Sequence, residues 1–218
     1  MGLLASSVTL FVLAFLLGSI PWGVIISRVF FHTDVREHGS GNIGTTNAMR
    51  TMGKAGGIAV FVLDFGKGIL SGVLAWLVFA QLLDPAAATA SARDVLSGTA
   101  FLGCIWGHIF SPWLKFKGGK GIAVAVGCMF VAFGPLVACI ELALFVVVVA
   151  VSRHVSAGSV AAAVLCPFMA LWRFWNTPVA FVMCTAAALT VVWAHRSNIK
   201  RLREGTESRI GAKEKDAR

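Results

Sequence analysis

Residues 121–152 read GIAVAVGCMFVAFGPLVACIELALFVVVVAVS and contain one charged side chain, Glu141. A single α-helix of this length would extend about 48 Å at 1.5 Å per residue, which is too long for one crossing of a bilayer. Gly134-Pro135 lies near the middle of the run, and such a pair is typical of a turn. The run therefore predicts two membrane-spanning helices joined by a tight reversal.

The rest of the chain has the same apolar character. Hydrophobic residues make up 57% of it and charged residues 13%, whereas soluble domains are about 25% charged. The apolar runs lack the alternation of barrel strands, and helices are the other structure that satisfies backbone groups in lipid. We expect an all-α polytopic membrane bundle of about seven transmembrane helices. The predicted helices cover 3–29, 57–80, 95–110, 121–133, 135–152, 157–174 and 178–195.

The basic residues predict the orientation. Of the 19 Lys and Arg residues, 16 fall in alternate connecting segments, and the other connections hold only Arg93 and Arg173. Cytoplasmic loops are enriched in Lys and Arg, so the N-terminus is expected outside and the C-terminus in the cytoplasm. We expect one transmembrane domain over 1–195 and a basic, exposed cytoplasmic tail over 196–218. The four inside segments are 28–56, 111–120, 153–156 and 196–218.

Two classes of function are disfavoured by composition. The net charge of +9 would suit nucleic acid, but the Trp and Phe residues lie mostly within apolar runs and not among the basic residues. The five cysteines also lie in apolar runs and form no C-x-x-C pair, so no metal site is expected.

The first inside segment contains HGSGNIGTTNAMR at 38–50. Its glycines allow backbone N–H groups to surround an anion, its hydroxyl and amide side chains add donors, and Arg50 adds a charge suited to phosphate. This pattern predicts an anion cradle. The alternative is a polar turn that caps a helix at Thr45 or Asn47. The candidate binding residues are Ser40, Gly41, Asn42, Gly44, Thr45, Thr46, Asn47 and Arg50.

The second inside segment contains KFKGGKG at 115–121 and leads directly into a predicted helix. Lysines on a glycine turn at a helix N-terminus predict a second phosphate site. It is not a nucleotide-binding P-loop, because Ile122 stands where Ser or Thr would hold magnesium. The alternative is that these lysines only anchor the protein to anionic lipid head groups. The candidates are Lys117, Gly118, Gly119 and Lys120.

Further polar groups lie outside the two glycine-rich segments. Asp64 and Lys67 are three residues apart inside a predicted span, which favours a structural ion pair, with direct catalysis as the alternative. His195 and Asn198 close the last span, where His195 is a candidate proton acceptor or phosphate ligand, or merely compensates a helix dipole. Ser156 adds a donor in the third inside segment, and the role of Glu141 stays open.

The order and spacing of these motifs resemble a known family. The matching segments are SGNIGTTN at 40–47 with Arg50, GHIF at 107–110 followed by FKGGKG at 116–121, and HRSNIKRL at 195–202. They are similar to the three signature regions of the bacterial acyl-phosphate:glycerol-3-phosphate acyltransferases, and the resemblance extends over essentially the whole chain.

The resemblance implies an enzyme of the bacterial inner membrane that needs no cofactor. It would transfer a fatty acyl group from acyl phosphate to the sn-1 hydroxyl of glycerol 3-phosphate, giving lysophosphatidic acid and phosphate in the first step of phospholipid synthesis. The expected partners are these two substrates and membrane lipid. Within this hypothesis, glycerol 3-phosphate is held and oriented by Ser40, Arg50, Lys117, His195 and Asn198.

In the same hypothesis the glycine-rich loops and Lys120 neutralise the acyl phosphate, and His195 or a substrate phosphate oxygen takes the hydroxyl proton. A phosphate or organophosphate transporter is the main alternative, but transporters usually carry internal repeats and bind at the midplane. A lipid-scaffolding protein would leave the two glycine-rich loops without a purpose.

Overall fold

The computed structural model describes residues 1–210, and within them every regular element is helical. By length and apolar composition, four helical segments of these residues qualify as membrane spans, and a fifth qualifies if one bent pair is taken together. The all-α prediction is therefore confirmed for the described chain. Its helices are α1 Leu3–Ser19, α2 Trp22–Phe31, α3 Thr45–Leu77, α4 Ala90–Ile109, α5 Ile122–Ala132, α6 Pro135–Ser152, α7 Val155–Arg173, α8 Pro178–Ala194 and α9 Arg196–Arg203.

The first predicted helix is interrupted. α1 ends at Ser19 and α2 begins at Trp22, because Pro21 has no backbone N–H and pushes the residue before it out of the helical conformation. Ile20 has φ −58° and ψ 118°. Its carbonyl oxygen accepts hydrogen bonds from Trp22 N–H at 3.1 Å and from the Lys67 ammonium of α3 at 2.9 Å. The break thus creates an acceptor for a buried cation.

α3 begins twelve residues earlier than the predicted start of the second helix. Gly44 is its extended N-cap, so Thr45 to Arg50 form its first turns. The loop before it thus leads into a helix at Thr45, and the anion cradle stays a prediction. Gly53 interrupts the helix with φ 69° and ψ −171°. Glycine has a low helix propensity, and this is why the sequence favoured a later start.

The chain reverses between α5 and α6, as Gly134-Pro135 predicts. Lys120, before α5, contacts Asn198, and Arg153, after α6, contacts Ile210. Phe133 packs instead on Phe174 beyond the end of α7, with ring centroids 5.2 Å apart. Both outer ends of the α5–α6 pair therefore lie near residues 196–210, and the turn lies at the far end of the bundle.

The connections fall into two groups at opposite ends of the helices. At one end the N-terminal amine bonds the Leu82 carbonyl at 2.8 Å, and Arg173 pairs with Asp94 at 3.1 Å. The other end is formed by residues 32–44, 110–121, 153–154 and 195–210, and we call it the polar end. Residues 196–210 pack there and are not a free tail, since Asn198 is buried. The basic residues Lys213, Lys215 and Arg218 of the predicted tail lie outside the described residues.

Candidate active site

A buried polar network lies beneath the polar end. The Lys67 ammonium contacts Asp64 Oδ1 at 2.8 Å, the Ile20 carbonyl at 2.9 Å and His108 Nδ1 at 3.0 Å. Both members of the predicted ion pair are 2% exposed. The third member, His108, belongs to the GHIF segment but had no role in the sequence interpretation. Its burial beside Lys67 ties α4 to α1 and α3.

The glycine turn at 118–121 rests directly on this network. Gly118 N–H donates to the Ile109 carbonyl at 3.0 Å, and Gly119 N–H donates to the His108 carbonyl at 3.1 Å. A Cβ at Gly118 would collide with the carbonyl of His108, and one at Gly119 would collide with the His108 ring. Only glycine permits this approach, and the approach fixes where the next residue, Lys120, enters the site.

Lys120 contacts the C-terminal segment. Its ammonium donates to the side-chain oxygen of Asn198, which stands on α9. The pKa of Lys120 is lowered to about 8, chiefly by burial; the charge of Glu207 raises it, and those of Arg201 and Arg50 lower it. Lys120 is thus a poorly hydrated cation surrounded by further positive charge, and such a position favours an incoming anion.

Glu207 is a functional candidate that the sequence interpretation missed. Its carboxylate accepts hydrogen bonds from Ser156 Oγ at 2.7 Å, Asn198 Nδ2 at 2.6 Å and Arg201 Nε at 2.7 Å. Burial raises the pKa of Glu207, but these three hydrogen bonds outweigh it and the pKa is lowered. Glu207 therefore orders α7, α9 and the segment after α9 around the site. In the sequence it is one of several acidic residues that alternate with basic ones, which singles out no particular residue.

The first predicted loop is organised by Asn47. Its side-chain oxygen accepts from Ser40 N–H at 2.9 Å, and its nitrogen donates to the carbonyls of Val35 and His38 at 2.8 and 3.0 Å. Gly39 has φ +57°, and a Cβ there would collide with the Asn47 side chain. The Asn47 amide is fully used in shaping the loop, and it is 2% exposed.

His195 is oriented by its own helix. Its Nδ1 lies 2.8 Å from the Val191 carbonyl oxygen, and the side chain is 3% exposed. A carbonyl can only accept, so Nδ1 carries the proton of this bond and Nε2 is left as an acceptor in the neutral ring. Burial lowers the pKa of His195 to about 4, so the ring is neutral near pH 7 and presents Nε2 as an acceptor.

One open cavity of about 2670 Å³ joins polar and apolar surfaces. It begins at the polar end and continues between α4, α5, α6, α7 and α8, where its walls are apolar. The predicted residues that line it are Ser40, Asn42, Gly44, Thr45, Thr46, Asn47, Arg50, Asp64, Lys120, Ser156, His195 and Asn198. The apolar wall includes Phe101, Ile105, Met129, Phe130, Ala138, Leu142, Phe145, Ala163 and Cys166.

Four of the other predicted residues line a smaller neighbouring pocket of about 370 Å³, and Lys67 lines neither space. Ser40, Asn42 and Lys120 contribute to both spaces. Lys117 is exposed and lines only the smaller pocket. The residues confined to the smaller pocket are Gly41, Lys117, Gly118 and Gly119.

Within residues 1–210, no group of three or more His, Cys, Asp or Glu side chains is placed to hold a metal ion.

Comparison with known sequences identifies the family of the chain. The sequence model of the family described as glycerol-3-phosphate acyltransferase matches residues 8–205. Glycerol-3-phosphate acyltransferases of Rhodopseudomonas palustris and Trichlorobacter lovleyi are 41% and 39% identical, over 93% and 91% of this chain and 95% of each relative.

Solved structures are similar as well. The crystal structure of PlsY (YgiH), an integral membrane glycerol 3-phosphate acyltransferase, in its glycerol 3-phosphate form gives a TM-score of 0.79 at 31% identity over 94% of this chain and 96% of that chain. Its lysophosphatidic acid form gives a TM-score of 0.76 over the same shares. The chain belongs to the glycerol-3-phosphate acyltransferase family and is a multi-pass membrane acyltransferase.

Proposed function

We propose that this protein transfers a fatty acyl group from acyl phosphate to the sn-1 hydroxyl of glycerol 3-phosphate, giving lysophosphatidic acid and phosphate as the first step of phospholipid synthesis. The observation that carries this proposal is the single cavity whose cationic mouth continues into an apolar interior. Glycerol 3-phosphate is soluble and anionic, whereas the donor has a phosphate head and a hydrocarbon chain. The mouth suits both phosphates, and the apolar branch suits the chain.

The proposed binding roles follow the two pockets. Arg50 and Lys120 line the mouth of the large cavity and bind substrate phosphate, with Ser40, Ser156 and Asn198 as hydrogen-bonding partners. Lys117, with Gly41, Gly118 and Gly119, lies in the smaller pocket and receives a phosphate group there. The hydroxyls of Thr45 and Thr46 line the large cavity and add donors. Asn42, Gly44 and Asn47 hold the loop in shape.

The proposed reaction is direct transfer. The sn-1 oxygen attacks the acyl carbonyl carbon, a new ester C–O bond forms, and the C–O bond to phosphate breaks, so phosphate leaves with the electron pair. The hydroxyl proton passes to His195 Nε2 or to a substrate phosphate oxygen. Acyl phosphate is already activated, so orientation and charge neutralisation supply most of the rate enhancement. Ser40 Oγ has no hydrogen bond to a basic side chain among the described residues, which disfavours a covalent role for it.

We also propose seven crossings, with the N-terminus outside, the polar end in the cytoplasm and the protein in the bacterial inner membrane. The alternation of the connections between the two ends of the bundle supports this topology, as does the concentration of Lys and Arg at the polar end. A single domain over 1–195 then forms the bundle, and residues 196–218 form its cytoplasmic extension. Cysteine labelling of intact cells at exposed positions of both ends would test the orientation.

The activity is tested with the purified protein in detergent or lipid mesophase. Acyl phosphate and glycerol 3-phosphate should give lysophosphatidic acid and phosphate in equal amounts, and acyl-CoA of the same chain length should not replace the donor. Intact-protein mass spectrometry without acceptor should detect no acyl-enzyme. The proposal fails if no product forms while liposomes containing the protein transport a phosphorylated solute.

A further inference from the structure

Glu141 is buried in the wall of the apolar branch. It lies on α6, whose buried residues are Val137, Ala138 and Glu141, so it belongs to the one stripe of this helix that faces inward. Its side chain is 4% exposed, and Oε1 is buried without a hydrogen-bond partner among the described residues. Ionisable side chains at membrane depth are costly to bury and are commonly functional.

The depth of Glu141 can be read from helix positions. It precedes the end of α6 at Ser152 by eleven residues, and Cys166 follows the start of α7 at Val155 by eleven residues. At 1.5 Å per residue, both lie about 16 Å from the polar end. Only Ala138, one turn further along α6, lies deeper among the cavity residues on this helix. Glu141 is therefore close to the inner limit of the cavity and far from the reacting groups.

This distance excludes Glu141 from proton transfer at the polar end and leaves it a role in recognising the chain. Glu141 lines the cavity, and only its Oε1 is a buried, unpartnered atom, so water can bond Oε2 while the inner part of the cavity is empty. A saturated chain that reaches Glu141 displaces that water and offers no hydrogen bond in return, which penalises burial of the polar group. A shorter chain leaves the carboxyl hydrated and incurs no such penalty.

We propose that Glu141 limits the length of the saturated acyl chain that the enzyme accepts, by penalising chains that reach its carboxyl. This inference rests on the proposed acyl transfer from acyl phosphate. It assigns a specificity-determining role to a residue that contacts neither the phosphate groups nor the reacting carbonyl.

The test compares kcat/KM for a series of saturated acyl phosphates of increasing length. The unmodified protein should show a fall at the length that reaches Glu141. Glu141→Leu should reduce that fall by about ten- to hundredfold, the usual effect of relieving one unpaired polar group, and should leave short chains unchanged. Glu141→Gln keeps a polar amide of the same size and should keep the fall.

Cys166→Ala is the matched control, since it changes the cavity at the same depth without changing its polarity. An identical length profile for the unmodified protein and Glu141→Leu would overturn the proposal. A profile for Cys166→Ala that equals that of Glu141→Leu would also overturn it, because volume alone would then set the limit. Glycerol 3-phosphate binding and the thermal midpoint verify that each variant is folded.

A second measurement needs no variant. Long-chain acyl phosphates that carry one hydroxyl at successive positions should be used best when the hydroxyl lies at the depth of Glu141, and no dependence on position would contradict the proposal. If acyl phosphates of every length give no lysophosphatidic acid, the proposed function itself fails. Product formation without a Glu141-dependent profile refutes only the length limit.

Discussion

Asn198 donates a hydrogen bond of 2.6 Å from its side-chain nitrogen to Glu207 Oε1, while its side-chain oxygen accepts one from Lys120. The amide thus presents its acceptor to a cation and its donor to an anion, and no other side chain of the same size does both. This arrangement couples the glycine turn, α9 and the segment after it, so that a change at Asn198 reaches two of the proposed phosphate-binding elements.

Asn198→Asp should reduce kcat/KM for glycerol 3-phosphate by about 100-fold, although it preserves the shape of the side chain. The new carboxylate would face the Glu207 carboxylate, and the loss of one buried hydrogen bond to a charged group is of this order. Asn176→Asp makes the same change at an exposed position of the opposite end and should leave activity unaltered. Full activity of Asn198→Asp would refute the coupling.

Lys120 should make glycerol 3-phosphate binding dependent on pH. Its lowered pKa of about 8 means that the ammonium loses its proton as the pH rises through that value. Since the substrate phosphate is dianionic above a pKa of about 6, binding requires the charged lysine. KM should be level up to about pH 7, about double by pH 8 and then rise by at most tenfold per pH unit.

The matched variant is Lys120→Arg, whose guanidinium remains charged across this range. It should remove the alkaline rise in KM even if its KM at neutral pH is higher. Steady-state kinetics with saturating acyl phosphate measure both proteins under the same conditions. Parallel pH profiles for the two proteins would show that another group is responsible.

Lys120, in the glycine turn, and Lys117, directly before it, should differ in importance. Lys120→Ala removes the cation that lines the large cavity and should lower kcat/KM by about 100-fold, the effect of losing a charge-assisted hydrogen bond to phosphate. Lys117→Ala, at an exposed position in the smaller pocket, should lower it by less than about tenfold. A larger loss for Lys117→Ala would place the main phosphate contact in the smaller pocket.

The sequence was most informative for residue types that serve one structural purpose, such as glycine in a tight turn. Glycine turns, the Lys and Arg distribution and the reversal at Gly134-Pro135 predicted where polar groups collect, and Ser40, Arg50, Lys120 and His195 do line one cavity. Roles that depend on distant partners were not predictable.

Glu207 illustrates the limit, because its three hydrogen bonds come from α7 and α9 and leave no local pattern. The contact between His108 and Lys67 was not predictable for the same reason, since 41 residues separate them in the chain. The start of α3 was missed because Gly53, Gly56 and Gly57 lower helix propensity; the helix does break at Gly53, but helical turns precede the break.

Breaking the buried network should destabilise the fold. Lys67→Met leaves Asp64 as an unpaired buried charge and removes a donor from the Ile20 carbonyl and His108, so the free energy of unfolding should fall by about 3–5 kcal/mol. Replacing both partners, in Asp64→Leu with Lys67→Met, should destabilise less than the sum of the single changes. Thermal unfolding of the purified variants measures this, and additive losses would argue against a coupled pair.

Gly118→Ala tests whether the close approach of the glycine turn to α4 is required. The added Cβ would collide with the backbone carbonyl of His108, which cannot move without disturbing the end of α4. The turn must shift instead and carry Lys120 away from Asn198, so kcat/KM should fall by about 100-fold, as expected when a contact residue is misplaced by about 1 Å.

Gly66→Ala is the control on α3, where a Cβ meets nothing within 4 Å. It should preserve activity and raise the free energy of unfolding by up to about 1 kcal/mol, because alanine favours the helix. Normal activity of Gly118→Ala would mean that Lys120 does not depend on the turn for its position.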